Sequence, residues 1–197
     1  FEGFHNTGLA VWSDSVTLAC YLLRPQLLVA PENLNWTKKV SVRTEASTLE
    51  NLKQVVSLMP SLMPGEEPKS SWIEVGCGVG VLSLALSMFG GATSLVATDG
   101  DEKTCSLASK NFKKNGLDGD RVVRCRWGNE EDHERVGRSS YDVVCGSDLT
   151  YWPAPMDLLL LTVIALISKK RGAVAIFAHK DRQHSKSKEL IFFKEME

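Results

Sequence analysis

Glycine at every second position, Gly76, Gly78 and Gly80, follows directly on the apolar run of Trp72, Ile73, Glu74 and Val75. Glycine lacks a Cβ, so such positions can take positive φ and bring the backbone close to a bound molecule. The apolar stretch 81–88 that follows can open a helix whose first amides point back at the loop. The unit is strand, glycine loop, helix, and it serves either as a tight βα turn or as the cradle of a ligand.

The spacing of the glycines discriminates among ligands. A dinucleotide fingerprint is G-x-G-x-x-G, with the backbone laid against a pyrophosphate. Here the spacing is G-x-G-x-G, preceded by Glu74, whose carboxylate would repel a pyrophosphate at short range. A ligand without phosphates suits the loop better, and S-adenosylmethionine is one. The next apolar stretch, 94–98, ends at Asp99, roughly 20 residues beyond the loop, where an acid accepts hydrogen bonds from ribose hydroxyls. Loop and acid together are a stronger signal than the glycines by themselves.

Length and composition admit one domain. The 197 residues are 43% hydrophobic and 24% charged, as in an ordinary globular domain with one sizeable core. A formal net charge of −1 argues against a general polyanion-binding surface, so no nucleic acid is expected as a partner. Cys20, Cys77, Cys105, Cys125 and Cys145 form no C-x-x-C pair and no metal-ligand spacing with the histidines. Reduced thiols in a cytoplasmic or nuclear protein, without a metal, are the expectation. No apolar run reaches bilayer length and no signal-peptide pattern opens the chain, so no membrane partner is expected. Because the first residue is Phe1 rather than methionine, the sequence is expected to be part of a longer chain.

Ahead of the glycine loop, Ser13, Asp14 or Ser15 can cap a helix with Val16, Ala19, Cys20 and Leu23 on one face. Trp12 precedes that cap, either as a core anchor or as the wall of a ligand pocket. Residues 24–70 carry five prolines, Pro25, Pro31, Pro60, Pro64 and Pro68, and read as an insertion. Within it a capping box at 47–50 opens a short amphipathic helix, and 40–44 could add a strand.

After Asp99 the spacing predicts a helix over 102–114 with Cys105, Ala108 and Phe112 inward, ended by Asn115 and Gly116. A third strand follows over 121–125. Arg126, Trp127 and Gly128 then lead into an acidic loop over 129–140, either a solvated connection or a surface for a basic substrate. A fourth strand over 141–147 ends at Ser147 and Asp148, and a leucine-rich helix runs from Pro155 through Ile167. A fifth strand covers 172–178, and a last amphipathic helix carries Leu190, Phe193 and Met196. Alternation of strands and helices specifies an α/β fold with a parallel sheet. Its ligands bind past the carboxyl ends of the strands, near the reversal of strand order. The glycine loop, Asp99, Trp127 and Asp148 all fall at that edge.

Taken in order, Trp12, the E-x-G-x-G-x-G loop at 74–80, Asp99, the R-W-G at 126–128 and the D-x-x-Y at 148–151 resemble the seven-β-strand, class I protein-lysine methyltransferases of methyltransferase family sixteen. Members of that family modify chaperones, translation elongation factors and calmodulin. The resemblance covers nearly the whole chain except the insertion. It implies a single Rossmann-like S-adenosylmethionine-dependent methyltransferase domain over 1–197, with an N-terminal segment 1–23 and an insertion at about 24–70. Helices would cover both faces of a mostly parallel, twisted sheet. It also implies a C-terminal antiparallel hairpin of strands six and seven, which would begin where this sequence stops, at Glu197. Position by position, Trp12 would contact the cofactor, and Gly76, Cys77 and Gly78 would surround its methionine portion, with Glu74 and Gly80 in the same loop. Asp99 would hold the ribose and Trp127 the adenine side. Ser147, where family members often have alanine, would lie beside them. Asp148 and Tyr151 would border the channel for the substrate lysine; the alternative for these two is a helix cap and a packed aromatic.

The chemistry so implied is transfer of the sulfonium methyl of S-adenosylmethionine to a lysine ε-amine, leaving S-adenosyl-L-homocysteine. The expected protein is a monomer whose substrate is a protein such as a chaperone or a translation factor. Two other functions stay open: methyl transfer to a histidine, a protein N-terminus or a small molecule, and a scaffold on the same fold without catalysis. A nicotinamide dehydrogenase is disfavoured by the glycine spacing and by Glu74.

Overall fold

The computed structural model describes residues 13–22, 70–89, 92, 94–150, 154–169 and 173–178. Within them β1 (Trp72–Val75), β2 (Val96–Asp99), β3 (Val122–Arg124), β4 (Val143–Ser147) and β5 (Val174–Ala178) form one sheet. Every pairing is parallel and the strand order is β3-β2-β1-β4-β5. The order reverses between β1 and β4, which places the ligand crevice of such sheets past the carboxyl ends of those two strands. Among the described residues five α-helices accompany the strands: α1 (Ser13–Leu22), α2 (Val81–Phe89), α3 (Glu102–Lys114), α4 (Glu130–Val136) and α5 (Met156–Leu166).

Side chains alternate across a strand, and here the alternation feeds two apolar layers. Trp72, Val143 and Cys145 pack with Leu18 and Leu22 of α1, Leu82 and Leu86 of α2, and Ala108 and Phe112 of α3. Ile73, Val75 and Val144 pack with Met156, Leu159, Val163 and Leu166 of α5. A sheet covered on both faces accounts for the near-continuous apolar composition of β1 and β4. This is the Rossmann-like α/β architecture expected from the alternation of elements. No helix among the described residues is long and apolar enough to cross a membrane. The expected insertion, apart from Ser70, and the helix through Leu190 and Met196 lie outside the described residues.

Three local expectations change. On α1 Ala19 is buried as expected, together with Leu18 and Leu22, whereas Val16 is exposed; the side chain of Cys20 and residue Leu23 lie outside the described residues. Ser15 lies on the same side as Leu18, Ala19 and Leu22, with a hydroxyl partner on the sheet. On α3 Thr104, rather than Cys105, joins Ala108 and Phe112 in the interior. The N-cap Asp101 holds Thr104 there by accepting from its N–H at 2.8 Å and its hydroxyl at 2.9 Å. Finally, the acidic stretch after Gly128 is not a loop but opens with α4.

Helix α5 offers a test of which face supports the sheet. Leu159 is fully buried and Leu161 is 56% exposed. Leu159→Ala is expected to cost about 2–5 kcal/mol in urea denaturation, and Leu161→Ala about 0.5 kcal/mol or less. Similar losses at both positions would mean that α5 is rotated from the orientation described.

Candidate active site

The chain leaves β1 through Gly76, Gly78 and Gly80, with φ of 64°, 53° and 86°. At Gly76 this left-handed backbone disfavours a side chain, and a Cβ, 2.5 Å from Leu149 Cδ2, would also displace that side chain. At Gly80 the missing Cβ admits the Phe112 ring, 3.1 Å from where it would stand, so this glycine serves the packing of α3 against the loop. The loop is also tied to β2. Cys77 N donates to Thr98 O at 2.7 Å, and Gly78 N donates to Asp99 Oδ2 at 3.0 Å. Cys77 itself turns its side chain into the core layer of α1 and α2.

Two carboxyls flank this loop with different fates. Asp99, at the end of β2, accepts from Gly78 N through Oδ2 and from Asp101 N through Oδ1, both at 3.0 Å. Burial raises its pKa while these amides pull it down. A carboxylate offers about four acceptor directions, so acceptor capacity is left for a ribose hydroxyl. That chemistry fits the nucleoside of S-adenosylmethionine. Glu74 instead lies beneath the loop, 1% exposed. Its Oε2 accepts from Ser83 N at 2.9 Å and from the Ser83 hydroxyl. Burial pushes its pKa up to about 8 against the lowering effect of both hydrogen bonds.

The Glu74 environment corrects one argument made from the sequence. A buried carboxyl that is mostly protonated at neutral pH does not repel a pyrophosphate. Its effect is structural: it occupies a first-turn amide of α2, a donor on which a pyrophosphate would otherwise draw.

Beyond β3, Cys125 N donates to Asp99 O at 2.8 Å, which brings Trp127 to the same edge as Asp99. The segment around Trp127 is held on both sides. Arg126 N donates to Asp132 Oδ2 at 3.0 Å, and Gly128 N donates to Thr162 Oγ1 of α5 at 2.9 Å. Asn129 caps α4 by accepting from Asp132 N at 2.9 Å, and the acids of the first turn suit the positive end of the helix. Asp132 is buried between Arg126, at 2.7 Å, and Arg135, at 2.5 Å. The hydrogen bond from Arg126 leads in holding its carboxyl well below the usual range. Glu130 and Glu134 both pair with Arg138. Part of the acidic charge is thus paired within the stretch, which supports its reading as a solvated connection.

At the end of β4, Ser147 is buried and its hydroxyl lies 2.6 Å from that of Ser15 on α1. Asp148 follows with φ of 57° and donates its N–H to Ala178 O of β5 at 2.9 Å. A non-glycine residue in this region carries strain of about 1–3 kcal/mol, and such strain gathers at functional sites. Leu149 then folds over Gly76, so the β4 exit and the glycine loop are packed together. Trp12 and Tyr151 lie outside the described residues. No group of three or more metal-ligating side chains occurs among the described residues.

Sequence reasoning missed Ser83, Thr162 and His133, and read Ser15 only as a possible helix cap. Thr162 carried a signal, as a lone hydroxyl among the leucines of α5; the others carried none.

The Glu74 shift has a consequence for stability. Its pKa is 4.5 without the fold and about 8 within it, so the native state holds the extra proton between those values. The stabilisation is complete below the lower value and lost as pH rises through the upper one. Urea denaturation near pH 6 and near pH 9 is expected to show a loss of stability on going alkaline that shrinks in Glu74→Gln. An equal loss in both proteins would remove Glu74 as the cause.

With the geometry in place, comparison with known proteins bears on the family. A family model described as lysine methyltransferase matches residues 2–197. The chain is 33% identical over 118 residues to protein-lysine N-methyltransferase EFM3 of Chaetomium thermophilum, a match covering 56% of this chain and 35% of that protein. The matched stretch is thus about a third of that relative's length. Among solved structures, the ribosomal protein L11 methylase of Lactobacillus delbrueckii subsp. bulgaricus aligns with a TM-score of 0.47 at 19% identity, over 74% of this chain and 67% of that one. An S-adenosylmethionine dependent methyltransferase of Mesorhizobium loti aligns with a TM-score of 0.38 at 21% identity, over 50% and 42%. Since the family model spans nearly every residue, the chain belongs to the lysine methyltransferase family.

Proposed function

We propose that this protein transfers a methyl group from S-adenosylmethionine to a lysine ε-amine of a protein substrate. The observation that carries the reading is the edge between β1 and β4. There a positive-φ glycine loop bonded to Asp99 packs against the segment of the strained Asp148. In this reading Gly76, Cys77 and Gly78 offer backbone to the methionine portion, Asp99 accepts from the ribose, Trp127 and Ser147 flank the nucleoside, and Trp12 covers it. Glu74 and Gly80 shape the loop from below. When bound, the cofactor supplies a methyl group already activated on sulfur.

The protein's own task is then to deliver an amine. A lysine is protonated at neutral pH, with an ordinary pKa of about 10.4, and must lose that proton before its nitrogen can act as a nucleophile. Partial burial on entering the site lowers its pKa. A carboxylate favours the charged form, so Asp148 receives and orients the incoming lysine, and the proton leaves to solvent or through Tyr151. Positioning supplies the main catalytic contribution. The substrate is a chaperone or a translation factor, and the enzyme works as a monomer with a single domain over 1–197, in the cytoplasm or nucleus.

Tritiated cofactor with a cell lysate, followed by mass spectrometry of labelled proteins, tests the acceptor: label on lysine is expected, and label confined to histidine or N-termini would contradict it. Asp99→Ala is expected to weaken cofactor binding by roughly 1–3 kcal/mol. Asp148→Asn, which tolerates the left-handed backbone, is expected to keep near-parental cofactor affinity while methyl transfer falls about 100-fold. Unchanged affinity in the first variant, or full turnover in the second, would remove that residue from its role.

A further inference from the structure

A hydroxyl inside an apolar helix needs partners, because burying it unsatisfied costs about 1–3 kcal/mol. Thr162 is fully buried in α5, and its Oγ1 has three neighbours. It donates to Leu158 O at 2.7 Å, accepts from Gly128 N at 2.9 Å, and lies 3.2 Å from His133 Nε2. A hydroxyl has one proton and two lone pairs. With the proton committed to Leu158 O, both remaining contacts reach lone pairs, and His133 must carry its proton on Nε2. Its Nδ1 is then bare, consistent with the absence of a hydrogen-bond partner for that buried atom. Burial also lowers the His133 pKa, which keeps the ring neutral.

The consequence falls on Trp127. Its two neighbours are the residues whose amides are pinned, Arg126 N by Asp132 and Gly128 N by Thr162. The indole packs against the apolar layer to which α5 contributes. We propose that Thr162, with His133 completing its hydrogen bonds, is a positioning residue that sets the placement of Trp127 at the edge it shares with Asp99 and so the affinity for the adenosyl group. The inference rests on the cofactor reading given above and extends it to residues that touch no ligand. Side chains that line a site are held accurately only where a second layer of hydrogen bonds fixes them, and Thr162 is such a residue here.

Thr162→Val is nearly isosteric and strands the Gly128 N–H and the His133 Nε2–H, whereas Thr162→Ser keeps the hydroxyl. In calorimetric titration with S-adenosylhomocysteine, Thr162→Val is expected to raise Kd about 10-fold and Thr162→Ser to stay within about threefold of the parent. In methyl transfer, Thr162→Val is expected to raise KM for S-adenosylmethionine while kcat changes less than about threefold. Leu86→Ala, a buried change in the opposite layer, loses stability without this split. On the unsubstituted protein, nitrogen-15 NMR of labelled histidine is expected to show His133 protonated on Nε2 alone, with that resonance moving when S-adenosylhomocysteine is added. This spectrum decides the matter if Thr162→Val does not fold. Parental affinity in folded Thr162→Val, a His133 proton on Nδ1, or a resonance indifferent to ligand would overturn the positioning role. Failure of the parent itself to bind S-adenosylhomocysteine would overturn the cofactor reading, and the positioning role with it.

Discussion

A carboxyl buried in the central strand governs how the site is built. β1 is enclosed along its whole length, and an acid there is tolerated because Glu74 meets the amide and hydroxyl of Ser83 in the first turn of α2. Helix starts leave amides without intrahelical partners, and a side chain from the preceding strand supplies one. The bond fixes the approach of α2 to β1, and the short connection between them must then turn sharply. Left-handed glycines carry that turn, and their backbone is the proposed cradle. The arrangement costs desolvation, visible in the raised pKa of Glu74.

From that connection the site extends in two directions across the sheet. Toward β2 and β3, Asp99 ties the glycine loop down and Cys125 follows directly beside it. Toward β4, Leu149 closes over Gly76 and Asp148 takes its strained turn. Parallel pairing of all the strands brings these separate stretches to one edge, and the reversal of strand order between β1 and β4 opens a crevice there. The helical layers contribute by reaching the same edge from either face, α1 through Ser15 on Ser147 and α5 through Thr162 on Gly128.

Much of this was legible in the sequence because it depends on local pattern. The glycine loop, the strand ending at Asp99 and the capped, amphipathic α3 each announce themselves within a dozen or so residues, and the alternation of elements follows. What was not legible depends on partners far along the chain. Ser15 looked like a helix cap, yet its hydroxyl meets that of Ser147. The stretch from Glu130 looked like a loop, since charge pattern alone does not reveal that Arg126, Arg135 and Arg138 will neutralise its acids. The charge of Glu74 was misjudged for the same reason: ionisation depends on burial, and burial belongs to the assembled sheet.

The central claim is that this edge binds S-adenosylmethionine and not a dinucleotide. Calorimetric titration of the purified protein with S-adenosylmethionine and, separately, with NAD tests it most directly. Saturable binding of the first with no heat from the second is the expected result. Binding of NAD, or of neither compound to the folded protein, would contradict the account.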